Sequence, residues 1–185
     1  MTTGTQRQII FLDPGIPDIA DLIDGARPSD QVFVLQADGN GLEQIADILA
    51  SENLSGLDSI AIVSHGDTGE LRLGSALLTD GNLAGNSGAL AEIGAALAPG
   101  GTIQLYGCDV AQGATGQRFI DDFSILAGGA TVEAATHIVG DAASGGNWAL
   151  DAAASAGAPA APPPKCPSGD FVSHLSRLAA DTIIA

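Results

Sequence analysis

Basic residues are scarce in this chain. Six lysines and arginines stand against 22 aspartates and glutamates, for a net charge of −16 at pH 7. A field of that sign repels nucleic acid and anionic lipid, so neither is expected as a partner. Its commonest meaning is an acidic surface suited to a salty or extracellular setting. Cysteine is nearly absent as well: with only Cys108 and Cys166 there is no disulfide framework, and both thiols are expected to be free. Aromatic residues make up 4% of the chain. No run approaches the roughly 20 apolar residues of a membrane span, and the polar residues 1–8 lack the apolar core of a secretory signal. Secretion or cell-surface display without an N-terminal signal peptide is the expected location, with the cytoplasm as the alternative. The oligomeric state is left open.

What is present is the material of one α/β domain. Across 185 residues the hydrophobic content is 45%, carried mainly by Ala, Leu and Ile, with 25 glycines for tight turns. Gln8 to Leu12 is a continuous apolar run, the mark of a strand buried on both faces. Asp13-Pro14-Gly15 turns the chain into a helical repeat of Ile16, Ile19, Ala20 and Ile23, stopped by Gly25. Val32 to Leu35 is the next strand. Asp38-Gly39-Asn40-Gly41 then leads into an amphipathic helix with Leu42, Ile45, Ala46 and Leu49 on one face. Leu57 to Val63 is a third strand, and β-α-β-α-β order with right-handed crossovers builds a parallel sheet covered by helices.

After His65-Gly66 the period changes to two. Glu70 to Gly74 and Ala76 to Leu78 read as a small β-hairpin. A third helix carrying Leu83, Leu90, Ile93 and Leu97 is expected to end at Pro99-Gly100-Gly101. The Thr102–Tyr106 strand follows, then a helix with Phe119, Ile120, Phe123 and Leu126 inward. Thr131 to Ala135 is a fifth strand, and Trp148-Ala149-Leu150 is expected as a last short one. The domain is placed at 1–151, an Ala/Pro-rich linker at 152–168 and a short amphipathic helix at 169–185.

Two strand ends carry the chemistry. Ile60 to Val63 stops at Ser64-His65-Gly66, and Thr102 to Tyr106 stops at Gly107-Cys108-Asp109. Ligands of open parallel sheets bind beyond the carboxyl ends of the strands. If these two strands are neighbours, about 4.8 Å apart, an imidazole and a thiol project from adjacent points on one edge. The imidazole and the N-terminus of the helix after Cys108 are expected to lower the thiol's pKa. Gly66 and Gly107 would let a substrate backbone approach, and the Gly66 and Cys108 amides would form an oxyanion hole. The competing readings are a small buried hydrophobe at Cys108 and an ordinary turn residue at His65.

Other chemistries lack their signatures. No CxxC or HxxxH spacing suggests a metal site, and Asp38-Gly39-Asn40-Gly41 lacks the ligands of a calcium loop. No Walker sequence, dinucleotide fingerprint or Gly-Xaa-Ser-Xaa-Gly is present. No metal and no cofactor is therefore expected.

Ser64-His65-Gly66 and Gly107-Cys108-Asp109, each closing a strand, resemble the dyad of the caspase-like (clan CD) cysteine peptidases. More closely, the chain from Ile9 to Asp151 resembles a bacterial domain of unknown function found near the N-termini of giant secreted adhesin-like proteins with cadherin-like or calcium-binding repeats. The matching segments are Phe11-Leu12-Asp13, Ile62 to Gly69, Leu71 to Gly74, Leu105 to Ala111 and Gly145 to Leu150. The wider resemblance implies a three-layer α-β-α sandwich, His65 as general acid/base and Cys108 as nucleophile. Its substrate would be a polypeptide, either this chain itself or an associated adhesin. Tyr-Gly-Cys-Asp-Val stands where caspases have Gln-Ala-Cys-Arg-Gly, so caspase specificity is not implied. The superfamily builds its primary specificity pocket near Asp13, which would there favour a basic side chain; its alternative role is to cap the turn at Pro14. Asp109 is a second substrate-binding candidate, or a cap for the following helix. A non-catalytic module for attachment, assembly or regulation is the rival reading.

Overall fold

The computed structural model describes residues 7–142 and 145–156. Nine strands and four α-helices follow in the order β1 (Gln8–Leu12), α1 (Ile19–Asp24), β2 (Gln31–Val34), α2 (Gly41–Ser51), β3 (Leu57–Val63), β4 (Gly66–Asp67), β5 (Glu70–Leu73), β6 (Ala76–Thr79), α3 (Ser87–Ala95), β7 (Leu97–Tyr106), α4 (Gly113–Leu126), β8 (Thr131–Ala134) and β9 (Ala152–Ala154). Six strands form one sheet in the order β2-β1-β3-β7-β8-β9. Its ladders are parallel except for the last, where β9 runs antiparallel to β8. The fold is thus an α/β sandwich on a mostly parallel sheet.

The strands between β1 and β8 alternate large apolar residues to both faces, and the two faces are covered unequally. Ile9, Phe11, Ile60, Ile62, Ile103 and Leu105 pack against the inner faces of α2, α3 and α4. The stripes Leu42, Ile45, Leu49 and Phe119, Ile120, Phe123 recur at helical spacing and are fully or almost fully buried. The opposite face carries Ile10, Leu12, Ala61, Val63, Tyr106 and Cys108. Among the described residues, its apolar partners come from the stretch between Ile16 and Ala26, which includes the six-residue α1, and from Ala135, Val139, Trp148 and Leu150. A polar row also crosses that face: Arg27 donates to Gln8 at 2.7 Å, Gln8 to Gln104 at 3.2 Å and Gln104 to Glu133 at 3.1 Å. Each amide and the carboxylate in the row thereby has a hydrogen-bond partner, which offsets part of the cost of burying it.

Several expected boundaries move. Ile16 sits in the turn, and α1 begins at Ile19. The third helix splits into a 3-10 turn, Leu83–Asn86, and α3, while Leu97 and Pro99 belong to β7 instead of a helix end. The reason is pairing: Leu97 lies opposite Leu57 before the ladder shifts register. No strand forms at Trp148-Ala149-Leu150. The sheet continues instead into the alanine stretch, where Ala152–Ala154 pairs with Val132–Ala134, so ordered sheet extends past residue 151. Alanine has little intrinsic preference for strands; the open edge of β8 supplies the hydrogen bonds, and the Ala156 amide is tied to Ser124 Oγ at 3.0 Å. The expected helix at 169–185 and Cys166 lie outside the described residues.

Candidate active site

In chain order β1 is followed by β2 on one side and β3 on the other, so the strand order reverses at β1. The carboxyl ends of β1, β3 and β7 meet beside this switch point, where open α/β sheets bind ligands. The β3–β7 ladder pairs Val63 with Tyr106, and the Ser64 amide donates to the Tyr106 carbonyl at 3.0 Å. Beyond that pair both strands end, and the chain runs through His65 to Gly66, which lies against Cys108; the Cys108 side chain is on the face that carries Val63 and Tyr106. The contact is close: a Cβ on Gly66 would lie 2.9 Å from the Cys108 carbonyl oxygen and 3.1 Å from its nitrogen. Gly107 is less tightly confined, its Cβ position lying 3.3 Å from the Gly66 Cα. These glycines therefore let the two strand ends approach each other.

His65 is held at both ends. Its carbonyl accepts from the Arg72 amide of the hairpin at 2.9 Å, and its Nε2 lies 2.9 Å from the Gly15 carbonyl oxygen. A carbonyl only accepts, so in the neutral ring Nε2 carries the proton. Nδ1 is then the lone-pair nitrogen, and it is buried with no hydrogen-bond partner among the described residues. An imidazole so arranged has its proton-accepting atom unused.

Cys108 is buried, 4% exposed. The Val139 amide donates to its sulfur at 3.2 Å, and the sulfur lies 3.7 Å from the Val139 carbonyl. Burial pushes the thiol's pKa up, the Val139 hydrogen bond pulls it back, and the charge of Asp109 adds to the rise. The net direction is upward, against the lowering expected from the imidazole and the following helix, and His65 is not among its causes. Position explains the difference: α4 does not begin until Gly113, and a turn closed by the Gln112 amide on the Asp109 carbonyl intervenes. The dipole of a helix falls off within about one turn of its end.

Asp13 is 5% exposed, and both its oxygens are taken by backbone amides: Gly15 at 2.8 Å and Gly74 at 2.6 Å. A basic substrate side chain would have to compete with these two bonds. Asp109, in left-handed conformation with φ of 57°, accepts from the Gln112 side chain at 2.9 Å and donates its amide to the His137 carbonyl at 3.0 Å. It makes no side-chain cap on α4, whose N-cap is Gln112.

The chain matches, over residues 9–164, a family described as a domain of unknown function, DUF4347. It belongs to that family. No curated protein and no solved structure matches the chain.

Several residues of this DUF4347 site carry no signal in the sequence. Gly15 acts through its carbonyl and Val139 through its amide, and main-chain groups are not written in residue type. Trp148 had one available cue, as the single tryptophan in a glycine-rich segment. It is buried, lies 6.4 Å from the Tyr106 ring and leaves its indole N–H without a partner among the described residues. His137, which reads as a surface residue, is half-buried and 3.7 Å from Asp151. Among the described residues no cluster of three or more His, Cys, Asp or Glu is arranged to hold a metal, and no helix is long and apolar enough to cross a membrane.

Proposed function

We propose that this domain is a caspase-like cysteine peptidase in which Cys108 is the nucleophile and His65 the general acid/base. What supports the reading is the meeting of the two strand ends, where Gly66, next to His65 in the chain, lies against the backbone of Cys108. The tautomer of His65 agrees with it, since the proton-accepting nitrogen is the one left unused.

The reaction is acyl transfer. The thiol proton passes to His65 Nδ1, and the thiolate attacks a peptide carbonyl to form the C–S bond. The amides of Gly66 and Cys108 receive the oxyanion. The tetrahedral species collapses as the imidazolium returns its proton to the leaving amine, breaking the C–N bond. Water, deprotonated by His65, then hydrolyses the thioester and releases the acid. The substrate is a polypeptide, either this chain or an adhesin associated with it.

One observation favours a second reading. The sulfur is almost fully covered and its pKa is raised, as in a non-catalytic module or in a peptidase whose site opens only with an activator. Incubation with a mixture of arginyl, leucyl and aspartyl peptide substrates, alongside Cys108→Ala and His65→Ala, tests the proposal. Cleavage lost in both variants is the expected result, with rates lower by at least about a hundredfold. Equal turnover by wild type and Cys108→Ala would refute the nucleophile assignment.

A further inference from the structure

We propose that Asp13 is the positioning residue of the His65 base, fixing the tautomer and direction of the imidazole through the Gly15 carbonyl. The inference rests on the reading of His65 as a base, but its geometry stands apart from any substrate. Four hydrogen bonds close a ring around the histidine. His65 Nε2 donates to the Gly15 carbonyl at 2.9 Å, and the Gly15 amide donates to Asp13 Oδ1 at 2.8 Å. The Gly74 amide donates to Asp13 Oδ2 at 2.6 Å, and the Arg72 amide, two residues back on β5, donates to the His65 carbonyl at 2.9 Å. The single carboxylate therefore joins the loop that holds the ring to the hairpin that holds the backbone.

Each link has a reason to need this residue. Asp13 ends β1, where its own amide still donates to the Val63 carbonyl at 2.9 Å, so its Cα is fixed by the sheet. Only an ionised carboxylate accepts from two amides at once without offering a proton to either. Gly15 must be small, because a Cβ there would lie 3.0 Å from Asp13 Oδ1 and 3.7 Å from the His65 ring. Gly74 takes a positive φ of 61°, and a Cβ on it would meet the Gly39 carbonyl oxygen at 2.2 Å, so the turn that presents its amide is specific to glycine. Without the carboxylate, the Gly15 loop loses its anchor and Nε2 its fixed acceptor. The ring is then free to place its proton on Nδ1, which blocks the atom the mechanism needs.

Nitrogen-15 NMR of the imidazoles reads this directly, compared in wild type, Asp13→Ala and Asp13→Asn and with His65→Gln for assignment. Wild type is expected to show one neutral His65 tautomer, protonated on Nε2. Asp13→Ala is expected to give a mixture of tautomers. Asp13→Asn, which retains one acceptor oxygen for two amides, is expected to give a smaller but detectable Nδ1–H population, and it decides the matter if Asp13→Ala does not fold. A single Nε2–H tautomer in every folded Asp13 variant overturns the proposal. Alkylation of Cys108 by iodoacetamide across pH is measured on the same samples. A displaced base is expected to slow it about ten- to a hundredfold near neutral pH. If His65→Gln leaves the alkylation profile unchanged while Asp13→Ala still mixes the tautomers, the peptidase reading fails and the positioning role stands.

Discussion

A methyl group on Gly66 would sit 2.6 Å from the Val110 side chain and 2.9 Å from the Cys108 carbonyl oxygen, with backbone on one side of the clash. Neither strand end can yield without disturbing its ladder. Gly66→Ala is expected to destabilise the fold by about 1–3 kcal/mol. Urea titration should show a lower midpoint with an unchanged slope; an unchanged midpoint would mean the two strand ends do not meet as described. The residue scale is also where the sequence was most legible. His65 and Cys108 could be found from residue type and position, because strand-terminal side chains beside glycine stand out. The use made of the glycines could not. They serve the contact between β3 and β7, and that depends on a register that no single strand carries. Asp13 was visible as a strand-ending carboxylate, but its partners are main-chain amides 2 and 61 positions away.

At the scale of elements, the segment after β8 packs against the thiol. Residues 135–139 run along the Cys108 turn, with Ala111 bonded to the Ala135 carbonyl, Asp109 to the His137 carbonyl and Val139 to the sulfur. Asp151 closes the segment by accepting from both the amide and the hydroxyl of Thr136, its amide bond at 2.8 Å, with His137 nearby. Burial raises the Asp151 carboxyl, but the Thr136 hydrogen bonds and His137 outweigh it, and its pKa is lowered. A carboxyl lowered in the folded state contributes stability that is present above its unfolded pKa and is lost as pH falls through the folded value. Asp151→Asn is therefore expected to lower the urea midpoint at pH 7 by the equivalent of about 0.5 kcal/mol, since solvent screens this largely exposed carboxylate, and the difference from wild type should shrink as pH falls below the carboxylate range. A pH-independent difference would contradict the assignment. This element was not readable in the chain: a loop of mixed small residues has no period, and the Trp148 stretch resembles a strand while β9 resembles a linker.

For the whole molecule, the α/β class and the parallel sheet followed from apolar runs and helical stripes, whereas the β2-β1-β3 order did not, since right-handed crossovers allow β3 on either side. Nor did the asymmetry of the two faces. It involves Gln8, Gln104 and Glu133, which lie on three different strands and meet only in the folded sheet. Cys108 lies on the face that carries Val63 and Tyr106, next to the strand-order switch. The account rests on His65 and Cys108 acting together. The most direct test is mass-spectrometric labelling with a peptidyl acyloxymethyl ketone, which forms a thioether only where a thiolate is delivered to a bound carbonyl compound. Wild type is predicted to gain one adduct on Cys108, and His65→Gln to gain it at least about a hundredfold more slowly. Equal labelling rates in the two proteins, or an adduct on Cys166 with Cys108 untouched, would contradict it.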